Sequence, residues 1–358
     1  MNTRACDALW PGIIEVYGAF LPVTANTPIV TLCEGGTPLV PAPRLAKAIG
    51  APIHLYLKYE GTNPTGSFKD RGMTLAISKA KESGAEAVIC ASTGNTSASA
   101  AAYSARAGMK AYVLIPAGYV AMGKMAQALM HQARVIQIEG NFDHALELVK
   151  EIAKTHPITL VNSINPYRLE GQKTAAFEVC DRMGEAPSYH FLPVGNAGNI
   201  VAYWEGYQTY YKRGRVTKLP KMVGIQAAGA APIVLGRVIE NPETVATAIR
   251  IGRPARWEGA VDAARSSGGQ IECVTDDEIL MAYKIIAECE GLFCEPASAA
   301  SVAGVAKFSQ GSFFQPGDVV VCTLTGHGLK DTHLAVSQAI PPVTIPANRD
   351  SVVAAIFS

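Results

Sequence analysis

A single lysine stands in the stretch NPTGSFKDRG, residues 63–72, after a run of turn-forming residues and directly before a charged pair. Ser67, with Asp70 three positions later, resembles a capping box in which Asp replaces the usual Glu. Met73, Ala76, Ile77 and Ala80 then fall on one helix face. Lys69 is therefore expected in the first helical turn, at the positive end of the macrodipole, where a cation is disfavoured by roughly 0.3–1 kcal/mol. An ammonium placed there gives up its proton more readily, and a neutral amine can attack an aldehyde to form a Schiff base. The other reading of these ten residues is a solvated lysine paired with Asp70 or Glu60.

Three further loops bear on that choice. ASTGNTSASAAAY (91–103) follows an apolar strand, and Ser92, Thr93, Gly94, Asn95 and Thr96 offer N–H groups and hydroxyls at a helix start, a site suited to a carboxylate. A plain Ser/Thr cap is the alternative, though five small polar residues exceed what capping needs. In PVGNAGNI (193–200), Gly195 and Gly198 let the backbone close around a phosphate, with Asn196, Ala197 and Asn199 as N–H donors; a tight strand-to-helix turn is the alternative. In TLTGHGLKD (323–331), Thr325 ends the most apolar strand beside Gly326 and Gly328, where a site or a simple strand-end turn would sit. A hydroxyl such as Thr325 facing a pyridine nitrogen would leave the ring unprotonated or weakly hydrogen-bonded. Four such loops together point to one site. GYVAMGKM (118–125) fits a phosphate-binding GxxxxGK, but Met125 replaces the metal-binding hydroxyl and no apolar strand ends in a suitable Asp. That removes the nucleotide reading and leaves Lys124 as a possible anion contact at a helix start.

The elements that must position these loops read as α/β. AVICA (87–91), AYVLIP (111–116), RVIQIEG (134–140), YHFLPVG (189–195), MVGIQA (222–227) and DVVVCTLTG (318–326) are expected strands. Amphipathic segments of helix length alternate with them, so a mostly parallel sheet covered by helices is expected. The region 58–163 is expected as a small domain inserted into a larger one made of 1–57 and 164–358, with the site in the cleft. The first forty residues and the tail PPVTIPANRD (341–350) are expected to wrap the body.

Apolar residues make up 49% of the 358-residue chain and charged residues 17%, enough for a sizeable core. A formal net charge of +1 and the absence of basic runs exclude nucleic acid and anionic membrane as main partners. No signal peptide or spanning segment is read, and eight scattered cysteines without a CxxC pair suit a cytoplasmic chain with reduced thiols and no metal site.

With these residues assembled, the chain resembles the threonine synthase family of fold type II (tryptophan synthase β-like) pyridoxal phosphate enzymes. CEGGTPLVPAPRL (33–45), NPTGSFKDRGM (63–73), STGNTSASAAAY (92–103), NSINPYRLEGQKT (162–174) and PVGNAGN (193–199) carry the resemblance, the segment 162–174 being the most particular. It implies pyridoxal 5'-phosphate bound by Lys69, with Lys69 later shuttling protons. Gly195, Asn196, Ala197, Gly198 and Asn199 would cradle the cofactor phosphate, Asn95 would face the phenolic oxygen of the ring and Thr325 its nitrogen. Ser92, Thr93 and Asn95 would hold the substrate carboxylate. Asn162, Ser163 and Arg168, with Thr96 and Lys124, would hold the phosphate of O-phospho-L-homoserine, Arg168 offering a planar bidentate fork unless it forms a surface pair with Glu170. The implied activity makes L-threonine and phosphate in a homodimer. A threonine or serine dehydratase of the same fold, which needs no second phosphate site, is the nearest rival, and a non-catalytic cofactor-binding protein the more distant one.

Overall fold

The computed structural model describes residues 9–117, 122–140 and 142–357, without the side chains of 122–124, 142 and 143. Among these residues the strands are β1 (Leu39–Pro41), β2 (His54–Tyr59), β3 (Ala87–Ala91), β4 (Lys110–Pro116), β5 (Arg134–Ile138), β6 (Ile158–Leu160), β7 (Tyr189–Pro193), β8 (Lys221–Ala227), β9 (Gln270–Val274) and β10 (Val319–Leu324). They form two sheets. One has the order β1-β2-β10-β7-β8-β9 and is parallel except for β1, which runs antiparallel to β2. The other, β5-β4-β3-β6, is parallel throughout and is drawn entirely from residues 110–116, 87–91, 134–138 and 158–160.

Burial explains why these segments are strands. Every residue of β3 and β7 is buried, as a parallel strand covered on both faces requires. All six expected strands are present within a residue or two of their expected ends. β1, β2, β6 and β9 were not expected: β1 and β6 are three residues long, and β9 (QIECV) carries polar residues in its interior.

Lys69 opens the helix Lys69–Glu82, and Met73, Ala76, Ile77 and Ala80 form its buried face. The expected capping box is absent. Phe68 is the N-cap, and Ser67 Oγ accepts only a 3.4 Å bond from the Lys69 N–H. Asp70 turns back instead, accepting from Thr65 N (2.7 Å), Thr65 Oγ1 (2.6 Å) and Ser99 Oγ (2.6 Å). It thereby ties the turn before Lys69 to the helix Asn95–Ala107.

The segment near the N-terminus does wrap the body: Ile13, Ile14, Tyr17 and Leu21 are buried with Phe177, Trp204 and Tyr207. The tail does not, since residues 339–350 are all exposed. Pro341, Pro342 and Pro346 hold it extended and keep it out of a helix.

Candidate active site

Parallel strands deliver their following loops to one end of a sheet, and the neighbour relations decide which loops meet. β10 lies beside β7, so the Thr325 loop borders the Gly195–Asn199 loop. β3 lies beside β6, and Asn162 continues that pairing: its Nδ2 donates to Ala91 O at 2.8 Å and its Oδ1 accepts from Ala91 N at 2.9 Å. The Ser92–Thr96 loop is thereby fixed next to Asn162 and Ser163.

The turn that carries Lys69 is stitched to the Thr325 loop. Phe68 N donates to Thr325 O at 3.0 Å, His327 N donates to Gly66 O at 2.9 Å, and Ser67 pairs with Gly326. Lys330 Nζ adds bonds to Thr65 O (2.6 Å) and Gln127 Oε1 (2.9 Å). Asn95 closes the ring of loops by donating through Nδ2 to Glu295, which also accepts from Thr325.

Glu60 and Asp70, the partners of the solvated-lysine reading, are both engaged elsewhere. Arg71 holds Glu60 through Nε (2.7 Å) and Nη2 (2.8 Å) and holds Glu178 through Nη1 (2.5 Å), while Lys58 Nζ meets Glu178 at 2.6 Å. This buried network anchors the first turn of the lysine helix. The Lys69 amine is pushed down to about 7 from its ordinary 10.5, by burial first and the Arg168 cation second, with Glu295 opposing.

Arg168 is fully buried, and its Nη1 donates to Val161 O at 2.7 Å. Its Nε and Nη2 donate to nothing among the described residues. Glu170 pairs with Lys173 at 2.5 Å, so Arg168 does not form the surface pair that the sequence allowed. Burial brings its guanidinium down to about 10, with Cys90 and Asp70 opposing. A buried charge whose Nε and Nη2 lack acceptors among the described residues is costly unless an anion visits it.

The Gly195–Asn199 loop ends in a helix start. Ala197 takes a left-handed φ of 64° and is the N-cap of the helix Gly198–Lys212. That turn leaves the N–H groups of Gly195, Asn196 and Ala197 without an acceptor among the described residues, while Asn196 accepts from Ala255 and Arg256. Gly195 is packed on Ile249, where a Cβ would come within 3.0 Å of its Cα. Asn95 Oδ1 and Asn199 Oδ1 are buried without partners. Ser92, Thr93 and Thr96 are partly exposed; the Ser92 N–H is spent on Leu114 O, and Ser92 Oγ accepts from Gly94 N. The Lys124 side chain and residues 118–121 lie outside the described residues.

Glu295 and Ser298 were missed from sequence. The signal was available: in CEPASAAS a charged residue precedes Pro296, which opens a helix of small residues.

A family model described as pyridoxal-phosphate dependent enzyme matches residues 30–326. A threonine synthase of Synechocystis sp. is 60% identical over 338 residues, covering 94% of this chain and 87% of the relative. One of Halalkalibacterium halodurans is 56% identical over 338 residues, covering 94% and 95%. Among solved structures, maize serine racemase superposes with a TM-score of 0.72 at 20% identity over 84% of this chain and 91% of that one, a likeness of fold alone. The chain belongs to the pyridoxal-phosphate-dependent enzymes and, within them, to the threonine synthases.

Proposed function

We propose that the residues gathered around Lys69 divide the threonine synthase reaction, O-phospho-L-homoserine plus water giving L-threonine and phosphate, between an amine, two anion sites and a ring-holding edge. The observation that carries this division is the buried Arg168 fork with Nε and Nη2 vacant beside the Lys69 amine.

The residues fit the cofactor. The depressed Lys69 amine suits an aldehyde, and the unpaired N–H groups of Gly195, Asn196 and Ala197, with Gly198 and Asn199 opening the helix, suit its phosphate. Asn95 and Thr325, joined through Glu295, would face the ring oxygen and nitrogen. Pyridoxal phosphate supplies an electron sink for the bonds about the substrate α-carbon.

Lys69 Nζ would accept the α-proton and then a β-proton, return one proton to the γ-carbon to complete the methyl group and, once water has added, return the other to the α-carbon. Ser92, Thr93 and Asn95 orient the substrate carboxylate at the start of the helix Asn95–Ala107. Arg168 holds the phosphate that leaves the γ-carbon, together with Ser163, Thr96 and Lys124; Asn162, its amide engaged by Ala91, fixes the loop that presents Ser163. Water then adds at the β-carbon.

The segment 58–163 is the small domain in this reading, and its closure over 1–57 and 164–358 excludes stray water. A homodimer in the cytoplasm completes the proposal. In its support, the seven described cysteines are all free, and Ile340, Val343 and Phe357 stand exposed at 94%, 84% and 83% on a single chain.

The test follows phosphate and threonine together from purified protein and phosphohomoserine, with Lys69→Ala and Arg168→Ala beside it. Stoichiometric products lost in Lys69→Ala support the division. An Arg168→Ala protein with wild-type kinetics, or ketobutyrate made from threonine with phosphohomoserine ignored, would transfer the site to the dehydratase.

A further inference from the structure

Arg256 is the N-cap of the helix Trp257–Ser266, and it meets both phosphate loops of the proposed site. Its main chain serves one of them: Arg256 N donates to Asn196 O at 3.2 Å, and Ala255 N before it donates to Asn196 Oδ1 at 3.4 Å. Its side chain serves the other: Nη2 donates to Ile164 O at 3.3 Å, in the loop that leads from Asn162 to Arg168. The helix behind it is packed in place. Ala260 and Ala263 are buried with Ile200 and Trp204, and a Cβ on Gly259 would come within 2.9 Å of Val201 Cγ2. The loop around Ile164 is tied toward the four-stranded sheet by Asn162, which pairs with Ala91, and by Asn165 Nδ2, which donates to Leu160 O at 2.8 Å. Arg256 holds it from the other side, where the helix Gly198–Lys212 starts. The guanidinium is partly buried, its Nε has no acceptor, and no carboxylate pairs with it among the described residues. A cation kept there without a counter-ion is costly unless nearby anions balance it.

We infer that Arg256 is a positioning residue that locks the substrate-phosphate loop to the cofactor-phosphate loop, its main chain holding one and its guanidinium the other. This rests on the reading that Ser163 and Arg168 hold the substrate phosphate. The division of labour makes the consequence selective. The bonds to Asn196 come from the backbone and survive a change of side chain. The bond to Ile164 does not. Removing the guanidinium therefore frees Ser163 and the start of the helix Pro166–Gln172, which carries Arg168, and leaves the Gly195–Asn199 loop as it is.

Holoenzymes of the wild type, Arg256→Ala and Arg256→Lys test this through three constants: KM for phosphohomoserine, the inhibition constant of inorganic phosphate, and the dissociation constant of pyridoxal phosphate followed by absorbance. Arg256→Ala should raise the first two together by about tenfold, the size expected of a charge-assisted hydrogen bond, with the cofactor constant unchanged. Arg256→Lys, whose ammonium still donates to a carbonyl, should recover most of the loss. Wild-type KM in Arg256→Ala overturns the inference, as does a rise in KM that the phosphate constant does not share. A cofactor affinity that falls along with KM, a lysine variant no better than alanine, or an alanine variant that fails to fold overturns it too, because the side chain would then be part of the general packing. A wild type that carries the cofactor yet ignores phosphohomoserine would instead remove the reading of the site, and the inference with it.

Discussion

Gly72 lies directly against Arg168: a Cβ on it would come within 2.6 Å of the Arg168 carbonyl oxygen and 2.7 Å of Nε. From the other side, a Cβ on Gly171 would overlap the carbonyl of Arg71. The helices Lys69–Glu82 and Pro166–Gln172 thus cross at backbone contact. That crossing brings a guanidinium close enough to depress the Lys69 amine. The cation proposed to hold substrate phosphate is the same group that lowers the lysine.

Gly72→Ala should therefore disturb chemistry as well as stability. Forcing a methyl group into this contact should cost about 1–3 kcal/mol by the usual toll of overpacking. Urea unfolding checks that loss. Michaelis kinetics check the rest: KM for phosphohomoserine should rise as Arg168 is displaced. A destabilised variant with wild-type KM would separate the crossing from the site.

Arg168 makes a further prediction with opposite signs for binding and folding. Removing one partner of a buried charged hydrogen bond typically costs about 2–5 kcal/mol, so Arg168→Ala should raise KM for phosphohomoserine by at least about 30-fold. Without an anion, the vacant guanidinium is a burden on the fold. Arg168→Met should therefore be at least as stable as the wild type in phosphate-free buffer, and with the cofactor bound, so that the Gly195 loop is filled, added phosphate should raise the melting temperature of the wild type only. A marked loss of stability in Arg168→Met would show that the side chain is structural.

The loops that meet around Lys69 were legible in the sequence because strand-to-loop-to-helix junctions are local. Lys69 follows a recognisable turn, Gly195 lies in one and Thr325 leads into one, and their neighbours in sequence reveal them. The sequence concealed what depends on distant pairing. Glu295 and Thr325 are thirty residues apart, and Lys58, Glu60, Arg71 and Glu178 assemble from three segments. The capping box failed for the same reason: Asp70 finds better donors in Thr65 and Ser99 than in its own helix start. β6 and β9 were hidden because three residues, or a run as polar as QIECV, lack periodicity of their own and become strands only against β3 and β8.

The buried network beneath the lysine helix should set the acid limit of the fold. Glu178 is held down to about 2 from its ordinary 4.5 although burial acts to raise it, because Arg71 and Lys58 prevail. A carboxylate depressed in the folded state contributes stability that is complete above the unfolded value and is lost as pH falls through the folded one. The gap in unfolding free energy between wild type and Glu178→Gln should thus be full near neutrality and close between about pH 4.5 and about pH 2. Denaturant titrations over that range decide it; a gap independent of pH would mean that shape, not charge, holds Glu178 in place.

Lys69 should also make the cofactor-free protein more stable as pH rises, but in an alkaline window. Its folded value of about 7 lies below the ordinary 10.5, so the unfolded chain binds the extra proton between those two limits. Unfolding then takes up a proton, and stability rises with pH across that window, by up to about 1.4 kcal/mol for each unit of depression. The penalty is complete below about pH 7 and is relieved as pH approaches 10.5. Lys69→Met carries no such charge, so its stability advantage over the wild type should shrink as pH rises from about 7 to about 10. The rate at which the wild-type apoprotein captures pyridoxal phosphate should follow the same titration, climbing through about pH 7 and levelling above it, because only the neutral amine attacks the aldehyde. Stopped-flow absorbance measures that rate directly. A rate still climbing near pH 10 would mean that the amine is an ordinary lysine, and that neither its burial nor Arg168 prepares it.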